Sequence, residues 1–133
     1  MRRNFSITST IELASQGQSY DLHNDFDAIK VELDIANNLI TIFWRSLRCQ
    51  NALASIRFEG LQSLALKGFD ISMPREEDRR LSFMGYLHPD DVEIMDGFLP
   101  EEGPMKDSPM IFCFEGGLAI KVFAISAEFR KSK

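Results

Sequence analysis

The stretch Ile29-Lys30-Val31-Glu32-Leu33-Asp34-Ile35, then Ala36-Asn37-Asn38, then Leu39-Ile40-Thr41-Ile42-Phe43-Trp44 decides the fold. Apolar residues alternate with Lys30, Glu32 and Asp34 at a period of two, the spacing of a β-strand with one face on a core. Asn tolerates positive φ, so Asn37-Asn38 predicts a two-residue turn of the primed type. That turn pairs Ile35 with Ile40, Leu33 with Ile42 and Val31 with Trp44, and puts all six on one face. Asp34 opposite Thr41 and Glu32 opposite Phe43 take the other face.

The same period extends in both directions. Phe5, Ile7, Ser9, Ile11 and Leu13 predict one earlier strand. Met110, Phe112 and Phe114 lead into Gly116-Gly117, and Leu118, Ile120, Val122 and Ala124 follow, all at even positions. A two-residue loop would set even against odd. A three-residue loop, Glu115-Gly116-Gly117, pairs Phe114 with Leu118 and Phe112 with Ile120 and leaves a glycine for the left-handed position. The last strand continues to Phe129 and is apolar on both sides, which predicts a central place in its sheet. Ala54, Ile56 and Phe58, and then Leu81, Phe83, Gly85 and Leu87, give two more strands. Residues 60–66 fit either a helical turn or a strand. Residues 67–80 read as a polar loop. A short helix fits residues 89–99, with Val92, Met95 and Leu99 on one side and glycines and prolines ending it. The expectation is a single mainly β domain over 1–133, an antiparallel sandwich or partly open barrel of six to eight strands.

The 133 residues carry 15 Lys+Arg against 20 Asp+Glu, a net charge of −5. That sign is wrong for a nucleic-acid binder, whose affinity comes from neutralising phosphates. The acidity is also gathered. From His88 to Asp107 seven acids face one lysine, so this stretch carries −6 and the rest of the chain +1. No apolar run approaches the ~18 residues of a membrane span, and no signal-peptide core is present, which points to the cytoplasm. Cys49 and Cys113 lie in no CxxC pair and are expected to be buried free thiols.

Chemistry-bearing residues are sparse. Asp21, His23, Asp25 and Asp27 fall within seven residues and suit a divalent ion or an Asp–His acid–base pair. The same residues suit a turn capped by short polar side chains. His88-Pro89-Asp90-Asp91 reads as a strand end followed by a helix start. No serine-nucleophile elbow, phosphate loop or dinucleotide fingerprint occurs. The acidic stretch can be a solvated face, or a patch that steers and selects a basic protein partner. In the second reading Asp90, Asp91, Glu93, Asp96, Glu101 and Glu102 form the charged part and Phe98 an apolar anchor.

Leu22-His23-Asn24-Asp25, Ile29-Lys30-Val31-Glu32-Leu33-Asp34, Ile56-Arg57-Phe58-Glu59-Gly60-Leu61 and Phe114-Glu115-Gly116-Gly117-Leu118-Ala119-Ile120 carry a resemblance. The chain resembles small β-rich bacterial proteins of unknown function, including immunity-type proteins of polymorphic toxin systems. Asn24 stands where those proteins carry Asp after the histidine. The resemblance implies a partner protein and no shared catalytic residue. The expectation is thus a non-enzymatic binding protein, without cofactor, recognising a basic partner through residues 88–107. A small metal-binding or hydrolase-like module built on Asp21, His23, Asp25 and Asp27 is the first alternative. A self-associating β domain, with a homodimer, is the second.

Overall fold

The computed structural model describes residues 1–49, 51–68, 72, 79–89, 98–99 and 107–132. Along the chain run β1 (Arg2–Arg3), β2 (Ser6–Ile7), β3 (Glu12–Ser15), β4 (Gln18–Asp21), β5 (Phe26–Asp34) and β6 (Leu39–Ser46). Then come β7 (Leu53–Lys67), β8 (Leu81–Leu87), β9 (Phe98–Leu99), β10 (Met110–Phe114) and β11 (Ala119–Lys131). The large sheet has the order β5-β6-β7-β11-β10-β8-β9, with β1 parallel to β11, and β2-β3-β4 form a small second sheet. All pairings but β1–β11 are antiparallel, and the mainly β expectation holds.

Two long strands make the sheet curl into a half-barrel. The first part of β7 pairs with β6, while the whole of it pairs with β11. Between these parts Gly60 sits at φ 68, and Gln62 is an extra residue opposite the Phe123–Ala124 step. A bulge bends its strand and raises the local twist. The bend turns the β5–β6 flank towards the β10–β8 flank, so their inner faces meet. Trp44 and Phe58 both contact Phe112, with ring centroids 6.2 and 5.9 Å apart. The small sheet adds Ile7 and Leu13 to this one core.

The second hairpin forms as its glycines predict. Phe112 pairs with Ile120, Phe114 N–H donates to Leu118 C=O at 2.8 Å, and Gly117 takes φ 98. β11 is central, as its two apolar faces require, and residues 60–66 are strand.

The first hairpin forms with its register moved by two residues. Asp34 pairs with Leu39, Leu33 with Ile40 and Val31 with Ile42, so the turn spans 35–38. The Asp34 carboxylate explains this. It accepts the Asn37 N–H at 3.1 Å and the Asn37 amide at 2.8 Å, while Asn38 alone takes positive φ, 54°. Glu32 therefore faces Thr41, and Lys30 faces Phe43.

The predicted strand over 5–13 is broken. Ser9 Oγ accepts the Ile11 and Glu12 N–H groups, so 8–11 are a turn between β2 and β3. Phe98–Leu99 are a strand beside Tyr86 and Leu87, which corrects the helix over 89–99 at its end; residues 90–97 lie outside the described residues. The loop over 67–80 is likewise mostly outside them. Both cysteines are free, but Cys49 is exposed, because it sits in the turn after β6 rather than in the core. Among the described residues no helix is long and apolar enough to cross a membrane.

Candidate functional site

The turn between β4 and β5 holds His23. Asp21, at the end of β4, accepts the His23 and Asn24 N–H groups at 3.0 and 2.8 Å through one oxygen, and the Asn24 amide at 2.8 Å through the other. Burial pushes the Asp21 carboxyl up, but these hydrogen bonds and the neighbouring imidazole outweigh it and hold it below its ordinary value of 3.8. The imidazole reaches the next element: His23 Nδ1 lies 2.5 Å from Leu81 C=O. A carbonyl only accepts, so Nδ1 carries the proton. Glu115 Oε1 is 3.9 Å from the same nitrogen. Asp25 is taken by Arg48 at 3.0 Å, and Asp27 stands beside Arg45 in the β5–β6 register.

Asp21, His23 and Asp25 are thus committed to separate bonds, and Asp27 lies apart on β5 opposite Arg45. Among the described residues no three His, Cys, Asp or Glu side chains gather where an ion could sit. The arrangement is that of a capped turn docked on β8.

Asp90, Asp91, Glu93, Asp96, Glu101 and Glu102 lie outside the described residues. Phe98 belongs to β9, and its backbone pairs with Leu87. The acidic stretch is therefore tied at its middle to the rim of the large sheet.

A different site lies at the open side of the half-barrel. A cleft of about 770 Å³ separates the β5 flank from the β10–β11 turn. Its apolar surface comes from Ile29, Val31, Leu66, Phe114, Leu118 and Ile120. Ile29 and Val31 are each 37% exposed and Leu66 55%, unlike Ile40 and Ile42 on the neighbouring strand, which are fully buried. The reason is position: β5 ends the sheet, so among the described residues no strand completes the cover that alternation alone would promise. Lys30, Arg45 and Arg79 also line the cleft, with Asp27 the one carboxylate among the described residues there. Lys30 already bonds Glu32 at 3.0 Å and stands over the Phe43 ring. Arg45 and Arg79 are exposed and, among the described residues, form no ion pair.

This geometry defines a class: an antiparallel half-barrel with an apolar cleft and a cationic margin, a shape suited to holding a ligand. Comparison with family models, curated proteins and solved structures finds no match for the chain.

Proposed function

We propose that the protein is a binding protein that holds, without transforming it, an amphipathic ligand in the cleft, apolar body inward and anionic group at the margin. The observation that carries this reading is the uncovered apolar face of β5 opposite Leu66 and Leu118, edged by Arg45 and Arg79. The volume falls within the roughly 300–1,000 Å³ of small-molecule sites. The two free thiols suit a reducing cytoplasm.

A series of decyl compounds below their micelle concentrations tests it. Decanoate and decyl phosphate are expected to raise Tm by several degrees, and decylammonium is not. Arg45→Glu with Arg79→Glu is expected to abolish the shift. An equal response to decylammonium, or no response to any, overturns the proposal.

A second reading concerns residues 88–107, where −6 of the net charge is concentrated and β9 is fastened to β8. Here the stretch recognises a basic protein, in line with the resemblance to immunity-type proteins. Amide replacements at Asp90, Asp91, Glu93, Asp96, Glu101 and Glu102 are expected to abolish binding to a polylysine peptide. Binding that persists unchanged at high salt contradicts this reading.

A further inference from the structure

β5 ends the large sheet, and among the described residues no strand lies along its outer edge. It is nine residues long, contains no proline, and carries Ile29, Val31 and Leu33 at 37, 37 and 50% exposure. An edge of this kind is a template for another strand. Natural edges are blunted by charges, proline or a bulge, and β5 has mixed charges and one bulge but no proline. The extra residue Ile29 lies towards the start of the strand, and the ladder from Lys30 to Asp34 is regular.

The charges choose the partner. On the outer face Lys30 and Glu32 flank Val31, bonded to each other at 3.0 Å and both more than half exposed. In an antiparallel two-fold pairing centred on Val31, Lys30 faces Glu32 of a second copy, and Glu32 faces its Lys30. Leu33 then comes opposite Ile29. Lys30 and Glu32 thus each meet the opposite charge, and Asp34 comes opposite the small Ala28. Neighbouring registers fail. Centring on Lys30 or Glu32 sets that charge against itself, and centring on Leu33 sets Glu32 against Asp34. A shift by a single residue would put outer side chains against inner ones.

We propose that two copies of this chain join through β5, antiparallel about Val31, continuing the large sheet across a two-fold axis. The pairing uses backbone groups at the edge and the outer charges, on a strand whose Ile29, Lys30 and Val31 also line the cleft. One ladder is a small interface, so association is concentration-dependent and weakened by salt.

Sedimentation of the purified chain, from micromolar to millimolar concentration, tests this. The mean mass is expected to approach twice that of one chain, and to fall back when salt is raised. Lys30→Glu alone and Glu32→Lys alone each place like charges opposite one another, and each is expected to stay monomeric. Mixed in equal amounts they restore every opposite pair, and the dimer is expected to return, as it is in the double exchange K30E/E32K. Circular dichroism of each variant confirms its fold. A wild-type chain that stays monomeric at millimolar concentration overturns the proposal. So does a dimer that the single reversals leave intact, or a mixture that fails to recover it.

Discussion

Single side chains decide how the chain responds to pH and to thiol reagents. Asp21 accepts its N–H groups most strongly as a carboxylate, and its folded pKa lies below 3.8. Its contribution is therefore complete above that value and is lost as pH falls through the lower folded one. Asp21→Ala is expected to cost about 1 kcal/mol at neutral pH, since the turn is partly solvated. Urea titrations at pH 7 and pH 2 check this, and the difference between variant and parent should shrink at the lower pH. The cysteines differ more sharply. Burial pushes the Cys113 thiol up to about 11, against a smaller downward pull from Lys67. Cys49 is exposed. An alkylating reagent at pH 8 is expected to modify Cys49 at once and Cys113 only after unfolding, as peptide mapping would record.

Elements show what could be read from the chain and what could not. The closing hairpin was legible because parity left one loop length open, and Gly117 could supply the positive φ it needs. The first hairpin was legible as a pair of strands but not in register. A shift of two keeps the same faces, so alternation cannot detect it, and the side-chain bonds from Asp34 to Asn37 decide. The break at Ser9 was hidden for a similar reason: a serine fits the alternation of a strand and also caps a turn. β4 gave no apolar signal, since Gln18 and Ser19 are exposed. The bend in β7 rests on Gly60. A Cβ there would lie 2.7 Å from Ile125 Cδ1 and 3.0 Å from Ile125 Cβ, at a φ of 68° that side chains resist. Gly60→Ala is expected to destabilise by roughly 1–2 kcal/mol. A lowered urea midpoint with an unchanged slope checks it.

Across the whole molecule one core joins both sheets. Phe112 is fully buried and touches rings from β6 and β7. Phe112→Ala is expected to cost about 3–5 kcal/mol. Near- and far-ultraviolet circular dichroism should still melt together, because the small sheet shares its apolar contacts with the large one. A loss under about 1 kcal/mol, or two separated transitions, contradicts that arrangement. The cleft was not legible in the sequence. Its surface is gathered from β5, β6, β7, β10 and β11 and the segment around Arg79, and no local pattern links them. Ile29 and Val31 were visible as apolar, but their incomplete cover depends on β5 being the outermost strand.

The place of β11 has a bearing on how the chain is made. It lies between β7 on one side and β10 and β1 on the other, yet it follows all of them along the polypeptide. On the ribosome the earlier strands must wait for it, with one flank of the 15-residue β7 bare in the meantime. Contacts so distant in sequence form slowly. A nascent chain halted before Ala119 is expected to be a chaperone client or an aggregate, and emergence of β11 is the step that makes the sheet whole.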